Sequence, residues 1–321
     1  MKKIGLLLLV VFASIALMAC NPSEFIVDGE FTAFEASVKS NAPQVTMVTV
    51  TIEDGEIVGY NIDCRQGKRT QTAGADTVAD TTDDVFTFAW NASTKKELGD
   101  AYGMVANGGA IAEWHVQAGR IEAAWLANSV DFVTYNADTL VIDNVAGVTI
   151  KDGGYIALAK EAVELAKAGK FQTIECSGTD LYMASMIVSA KGVVSELELD
   201  TLQATKDANL GTFVWKTSTK QEFGAAYGMK GTGAKYVYAA GAWTASATDK
   251  TTLEWFEQAN LITDYVLANG WNGDLKAIAT RGISIDGTTL VDGLAGVTVK
   301  TETYLLLLTD LFAAVAEGEI K

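Results

Sequence analysis

Two short segments of this 321-residue chain share a pattern in which an aspartate is followed six residues later by a threonine. Residues 143–149 read Asp-Asn-Val-Ala-Gly-Val-Thr, and residues 292–298 read Asp-Gly-Leu-Ala-Gly-Val-Thr. A glycine lets the backbone approach a ligand closely, and free N–H groups at a nearby helix start can hold a phosphate. Neither segment has the Gly-Lys-Ser/Thr ending of a P-loop or the glycine spacing of a Rossmann fold. The pattern therefore predicts a phosphate site of another type.

Composition excludes several other chemistries. Three cysteines and one histidine leave too few ligands for a zinc finger, an iron–sulfur cluster or a multi-histidine zinc site. We find no nucleophile–base pair for a hydrolase, since His115 would serve any triad alone. With 24 Lys+Arg against 40 Asp+Glu the net charge is -16, which repels phosphate backbones and excludes nucleic acid as a partner. Cys64 and Cys176 either form one disulfide or remain two buried thiols.

The N-terminus has the order of an export signal. Two lysines precede an apolar run from Ile4 to Leu17, and the run ends in Met18-Ala19-Cys20. This junction resembles a bacterial lipobox, which implies a signal peptide over 1–19 and a diacylglycerol-modified Cys20 on a short tether, residues 20–24. The alternative is a buried cysteine after an uncleaved helix. The leader tail over 11–19 also resembles the peptide pheromones released from lipoproteins of Gram-positive bacteria.

The chain repeats itself. Residues 88–104 (FAWNASTKKELGDAYGM) and 213–229 (FVWKTSTKQEFGAAYGM) are identical at eleven of seventeen positions, and further matches continue on both sides in the same order. The matches predict a tandem duplication of one domain, with domain one over 25–169 and domain two over 170–321. Residues 230–250 have a much shorter counterpart in domain one. We expect this insertion to be a loop.

Each copy predicts the same mixture of hairpins and helices. β-Branched runs at 45–52 and 56–62 flank Asp54-Gly55, which favours a β-hairpin, and 183–189 with 193–199 repeats it. Thr94 with Glu97, and Thr219 with Glu222, form capping boxes that begin helices. Helical spacing predicts four longer helices: 113–128, 155–168, 252–268 and 304–316. Hairpins without βαβ crossovers indicate an α+β fold in which each domain is an antiparallel sheet with packed helices.

The repeated segments resemble a known family. The pattern Asp-x-x-Ala-Gly-Val-Thr is similar to the flavinylation motif of FMN-binding domains. The repeated core Ser-Thr-Lys-x-Glu-x-Gly-x-Ala-Tyr-Gly-Met is similar to that of two-domain flavinylated lipoproteins of Gram-positive extracellular electron transfer. The resemblance covers both repeats. It departs from the family at Ala146 and Ala295, where many members have Ser or Thr, and at Val148 and Val297, where Ala is commoner.

The resemblance implies roles for particular residues. Thr149 and Thr298 would each carry one FMN through a phosphoester, installed by a magnesium-dependent flavin transferase that uses FAD. The transferase would recognise one aspartate in each motif, Asp143 and Asp292. One glycine in each motif, Gly147 and Gly296, would leave space for the bound group. Six side chains are candidates to line the two flavins: Lys95, Tyr102, Met104, Lys220, Tyr227 and Met229. The alternative for each threonine is a helix N-cap, and for the other residues a capped helix with a packed aromatic ring.

The implied function is electron transfer on the outer face of the cell membrane. Reduced membrane quinone, fed by an NADH dehydrogenase, would be the donor, and ferric iron or soluble flavins would be the acceptors. An electron carrier fits these residues better than an enzyme that turns over a substrate. The alternative from another class is a non-redox lipoprotein that binds a ligand or signals, with the two threonines as helix caps.

Overall fold

The computed structural model describes residues 24–74 and 84–321. The predicted signal peptide and Cys20 lie outside the described residues. The described chain is a mixed α and β structure with antiparallel sheets and packed helices, which confirms the predicted fold class at that level. Within these ranges no helix combines the length and apolar content that crossing a membrane requires.

The first half, residues 24–169, is built on an antiparallel sheet whose four strands are neighbours in chain order. The strands are β1 (Gly29–Lys39), β2 (Ala42–Glu53), β3 (Glu56–Thr72) and β4 (Val85–Trp90). The predicted hairpin is confirmed: Asp54 and Gly55 have φ of 51° and 72°, as a tight two-residue turn between twisted strands requires. The Asp28 carboxylate accepts hydrogen bonds from both turn N–H groups, at 2.7 and 2.9 Å.

The helices of the first half cover this sheet. They are α1 (Lys95–Leu98), α2 (Met104–Gly108), α3 (Trp114–Ala127) and α4 (Tyr155–Ala168), with short 3₁₀ turns at Gly99–Tyr102 and Val130–Phe132. The Thr94–Glu97 capping box is present at the start of α1. α3 packs on β3 and α4 packs on β1 and β2. Each buries one apolar face, and the two long helices have the predicted ranges within one residue.

The second half, residues 170–321, contains nine strands in four smaller antiparallel sheets. Three strands form one antiparallel sheet and six more pair in hairpins: β5 (Lys170–Ser177), β6 (Asp180–Val188), β7 (Val194–Leu202), β8 (Ala204–Asp207), β9 (Thr212–Trp215), β10 (Ala234–Ala239), β11 (Ala242–Lys250), β12 (Lys276–Ile278) and β13 (Arg281–Ser284). The helices are α5 (Lys220–Phe223), α6 (Trp255–Asn269) and α7 (Glu302–Ala313), with a 3₁₀ turn at Gly224–Tyr227. α6 packs on β7, and α7 packs on β5 and β6.

The expectation of a loop over 230–250 is wrong. Most of this insertion is the β10–β11 hairpin, closed by Ala240 and Gly241 with φ of 49° and 80°. The Trp243 indole donates a 2.8 Å hydrogen bond to the carbonyl of Ile278, which ties the hairpin to β12. The glycine, alanine and threonine content suggested a loop, but aromatic side chains at Tyr236, Tyr238 and Trp243 give the segment the packing of a hairpin.

The two halves meet through aromatic rings. Phe31 on β1 and Phe171 on β5 are both fully buried and stack with ring centroids 4.2 Å apart. Two further pairs also bridge the halves, Phe88 with Phe213 at 5.7 Å and Trp90 with Trp215 at 6.1 Å. The halves therefore share one continuous apolar core.

Hydrogen bonds reinforce this contact. The Trp90 indole donates to the carbonyl of Asp180 at 3.3 Å, and the Trp215 indole donates to the carbonyl of Ser37 at 2.8 Å. After α7 the chain returns to the first half, where the N–H of Glu30 donates to the carbonyl of Ala314 at 2.7 Å.

Candidate functional site

The first turn of α3 holds three parts of the candidate site together. Glu113 is the N-cap of this helix, Trp114 is its first residue, and Gln117 lies one turn further on. Each side chain contacts a different predicted segment. The same three residue types, at the same spacing, begin α6 as Glu254, Trp255 and Gln258.

Gln117 holds the threonine of the first motif. Its side-chain oxygen accepts hydrogen bonds from the N–H of Thr149 at 2.7 Å, from the Thr149 hydroxyl at 3.2 Å and from the N–H of Ile150 at 3.2 Å. Gln117 is fully buried, and its amide group donates to the carbonyl of Ala112 at 2.8 Å, which sets the direction of the oxygen. Thr149 itself is exposed. The hydroxyl is therefore held in one place and can still be reached from solvent.

Gln258 holds the second motif in the same way. Its side-chain oxygen accepts from the N–H of Thr298 at 2.8 Å, from the Thr298 hydroxyl at 3.4 Å and from the N–H of Val299 at 3.1 Å. Gln258 is fully buried and Thr298 is half-buried. Its amide group also lies 3.9 Å from the sulfur of Met229, so one side chain contacts two predicted site residues.

The helix-cap alternative for the two threonines is wrong. α4 begins after Gly154 and α7 after Thr301, so neither Thr149 nor Thr298 caps a helix. The expectation of free N–H groups at a helix start beside the motif is wrong in the first half, because the Asp152 carboxylate accepts hydrogen bonds from the N–H groups of Gly154, Tyr155 and Ile156 at the start of α4. The N–H groups of Thr149 and Thr298 themselves donate to the buried glutamines. What each motif offers to a phosphate is the hydroxyl.

The remaining motif residues form a tight turn with an exposed aspartate. In both copies a hydrogen bond between residues i and i+3 closes this turn. Its donor is the N–H of Val148 in the first copy and the N–H of Val297 in the second. The backbone of Gly147 is left-handed, with φ of 76°, and a side chain there would overlap the Arg120 guanidinium. The backbone of Gly296 does not adopt the left-handed conformation. Asp143 and Asp292 are both exposed, and Asp143 accepts a 3.0 Å hydrogen bond from the Thr134 hydroxyl.

The repeated core places a lysine over two aromatic rings. The Lys95 ammonium lies 5.3 Å from the Tyr102 ring centroid and 5.2 Å from that of Trp114. In the second half the Lys220 ammonium lies 5.5 Å from Tyr227 and 5.0 Å from Trp255. These distances suit cation–π attraction.

Both methionines of the core are held through their backbone. The Glu113 carboxylate accepts from the N–H of Met104 at 2.7 Å and of Val105 at 3.0 Å. The Glu254 carboxylate accepts from the N–H of Met229 at 2.8 Å. All three parts of the site thus converge on the first turn of one helix in each half: the threonine loop, the lysine with its rings, and the Gly-Met turn.

A polar cavity of about 500 Å³ adjoins the second cluster. Tyr182 lines it and packs edge-on against Tyr304, which in turn contacts Trp255. Two lysines, Lys206 and Lys300, also line this cavity. This volume lies within the range of ligand pockets, about 300–1,000 Å³.

Burial perturbs the charges of the second cluster. It lowers the pKa of Lys220 to about 8, although the carboxylates of Asp180 and Asp200 favour the charged form. Burial also raises the pKa of Asp200. Lys220 therefore loses its proton in the folded protein about two pH units before it does in the unfolded chain.

This shift predicts a pH dependence of stability. Between pH 8 and the ordinary lysine pKa the unfolded chain binds the proton that folded Lys220 has released, so the free energy of unfolding from this group rises with pH. Urea titrations from pH 7 to pH 9.5 are expected to show the native protein gaining stability relative to Lys220→Met. The exposed Lys191→Met variant is the control and should follow the native curve. Parallel native and Lys220→Met curves would contradict the shift.

The glutamates and glutamines of this turn were not identified as site residues from the sequence. Glu113, Trp114 and Gln117 repeat as Glu254, Trp255 and Gln258, and this repeated Glu-Trp-x-x-Gln pattern was the signal available in the sequence. Cys64 and Cys176 form no disulfide, and the buried Cys64 thiol forms a hydrogen bond with the Lys95 side chain. His115 lies 3.7 Å from the exposed carboxylate of Asp100.

The chain matches no protein-family profile and no curated protein. A solution NMR structure of a structural-genomics target from Clostridium thermocellum is a weak structural neighbour. The identity is 24%, over 43% of this chain and 89% of that chain, with a TM-score of 0.27.

Proposed function

We propose that the chain is a lipid-anchored extracellular electron carrier with two FMN groups, each joined through its phosphate to Thr149 or Thr298. One observation carries this proposal. In each half an accessible threonine hydroxyl and a lysine–aromatic cluster are held by the first turn of the same helix. A covalent link at the hydroxyl would keep a flavin within reach of that cluster.

Each group of residues has a separate role in this proposal. Flavin, when bound, supplies one- and two-electron transfer. Gln117 and Gln258 orient the threonine hydroxyls, and the exposed Asp143 and Asp292 are accessible to the transferase. Lys95 and Lys220 offer positive charge where a reduced ring becomes negative. The rings of Tyr102 and Tyr227 offer flat apolar surfaces.

The bond-forming step uses one reacting group of this chain, the threonine hydroxyl. The threonine oxygen bonds to the phosphorus in the FMN part of FAD, the bond between the two phosphates breaks, AMP leaves and the hydroxyl proton is released. Outside a cell a dissociable flavin would be lost by dilution, whereas a phosphoester removes that equilibrium. The flavin transferase and its FAD are the partners that this step needs.

The contacts between the halves support the tandem duplication, with one FMN-binding domain over 25–169 and another over 170–321. The rings that meet across the contact are matching residues of the two copies: Phe31 with Phe171, Phe88 with Phe213 and Trp90 with Trp215. A residue touches its own counterpart only near a two-fold axis. Such an arrangement is what two copies of one domain would adopt.

The cellular setting of the proposal comes from the sequence resemblance. Lipid on Cys20 would hold the protein on the outer face of the membrane. Reduced quinone and its NADH dehydrogenase would supply electrons, and ferric iron or soluble flavins would receive them. The released leader could act separately as a pheromone.

Intact mass tests the proposal. The chain from residue 20 is expressed with and without a flavin transferase and FAD, then unfolded, dialysed and weighed. We expect a gain of two FMN only with the transferase, and yellow fluorescence on a denaturing gel. No gain in mass would favour the non-redox binding or signalling lipoprotein.

A further inference from the structure

A chain of hydrogen bonds leads away from the tyrosine of the first cluster. The Tyr102 hydroxyl donates to the side-chain oxygen of Gln66 at 3.4 Å, and the Gln66 amide group donates to the side-chain oxygen of Gln44 at 2.7 Å. The Gln44 amide group in turn donates to the Ser37 hydroxyl at 3.2 Å. In the first half the chain therefore ends in neutral groups, an amide and a hydroxyl.

In the second half the same chain ends in a carboxylate. Tyr227 forms a hydrogen bond with the side chain of Gln203, and the Gln203 amide group donates to the Asp180 carboxylate at 3.2 Å. Asp180 also lines the polar cavity beside the second cluster. Its negative charge favours the protonated forms of both Lys220 and Tyr227, two of the residues proposed to line the flavin.

The strand register shows that Gln44 and Asp180 occupy the same position in the two copies. Ser37 pairs with Gln44 across the β1–β2 hairpin, and the matching Ser177 pairs with Asp180 across the β5–β6 hairpin. On the next strand each of them stands opposite the glutamine of its own hydrogen-bond chain. One position of the repeat thus carries an amide in the first half and a carboxylate in the second.

The charges closest to the two short helices balance between the halves. A backbone N–H of α1 donates to Asp63, and one of α5 donates to the matching Asp200. One further cation lies after the last strand before each of these helices. Arg65 donates to the carbonyl of Asn91 at 3.1 Å in the first half, and Lys216 occupies the position of Asn91 in the second.

The charges in the wall of the polar cavity are also matched in the alignment of the halves. Apart from Asp180, each has a counterpart of the same sign: Lys206 with Arg69, Lys300 with Lys151, and Glu302 with Asp152 one residue away. Asp180 therefore makes the surroundings of the second cluster more negative by one charge.

We propose that Asp180 gives the two flavin sites unequal reduction potentials, the second site having the more negative one. This inference rests on the proposed function. Reduction adds two electrons and one proton to a flavin ring and leaves one negative charge on it, which a neighbouring carboxylate disfavours. Transfer of two electrons and one proton from the reduced second ring to the oxidised first ring is then favourable, so electrons collect in the first half.

Redox titration of chains that carry one flavin tests this inference. Thr298→Val leaves the first site loaded and Thr149→Val leaves the second, and both are titrated at pH 6.5, below the Lys220 pKa of about 8. We expect the Thr149→Val chain to be reduced at the more negative potential. Adding Asp180→Asn to it should raise that potential, and adding Gln44→Glu to the Thr298→Val chain should lower the potential of the first site.

A matched control separates the local field from the total charge of the half. Asp264→Asn, in the Thr149→Val chain, removes an exposed carboxylate that lies about 14 Å along α6 from Trp255. At 0.1 M salt this exceeds the screening length of about 10 Å, so the potential should not change. Asparagine at position 180 keeps an oxygen that accepts from the Gln203 amide group, so the hydrogen-bond chain should persist.

The flavin-free protein gives a second readout of the same charge. Asp180→Asn should lower the pKa of Lys220, because the carboxylate that favours its ammonium form is removed. The ¹³Cε signal of Lys220, assigned with Lys220→Met, follows this titration. An unchanged Lys220 titration would contradict the inference without any flavin being present.

Intact mass separates this inference from the proposed function. A chain that takes up no covalent flavin with the transferase contradicts both. Fully loaded chains whose two sites have equal or reversed potentials, or a second-site potential that Asp180→Asn does not raise, contradict this inference alone.

Discussion

The double variant Thr149→Val/Thr298→Val is expected to carry no covalent flavin after expression with the transferase, and each single variant is expected to carry one. Valine keeps the shape of threonine but has no oxygen to bond to phosphorus. The fold should survive, because the main-chain N–H groups still donate to Gln117 and Gln258 at 2.7 and 2.8 Å. The hydroxyl contacts that are lost are the longer ones, at 3.2 and 3.4 Å.

Intact mass and gel fluorescence measure this result directly. Thr288→Val is the matched control, since it removes an exposed hydroxyl ten residues before Thr298 and should retain two flavins. Circular dichroism checks that each variant is folded before its mass is interpreted. Two flavins on either single variant would show that another residue is the point of attachment.

Phe31→Ala is expected to lower the free energy of unfolding by about 3–5 kcal/mol, the usual cost of removing a fully buried phenylalanine. Phe31 is 0% exposed and stacks on Phe171, so the variant leaves a cavity where the halves meet. Urea unfolding, followed by tryptophan fluorescence, gives the change. The exposed Phe132→Ala variant, at 43% exposure, should change stability by no more than about 0.5 kcal/mol.

The double variant Phe31→Ala/Phe171→Ala shows whether the stack itself stabilises the contact. Residues in direct contact give effects that do not add, by about 0.5–3 kcal/mol. We therefore expect the double variant to be less destabilised than the sum of the two single variants. Additive effects would mean that each ring serves only its own half.

Local signals in the sequence predicted the elements that position the site. The Asp54-Gly55 turn, both capping boxes and helix 155–168 follow from neighbouring residues alone, and the structure has all of them. These features need no knowledge of distant contacts. The β10–β11 hairpin was missed because its strands depend on packing of Trp243 against β12.

The chemistry at the threonines was harder to predict. The repeated motif predicted Thr149 as a site residue, but the hydrogen-bond partner of its N–H is Gln117, which lies 32 residues away in the sequence. Only the packed helix brings that side chain to the motif, so local rules wrongly suggested a helix cap.

The return of the chain to β1 after α7 has a topological consequence. The carbonyl of Ala314 accepts from Glu30, and the N–H of Ala316 donates to the carbonyl of Asp28. The segment that leads into β1 and the segment that follows α7 therefore run side by side. A circular permutant that opens between Gly169 and Lys170, and joins residue 321 to residue 24 through a short linker, would exchange the order of the halves and keep every strand pairing.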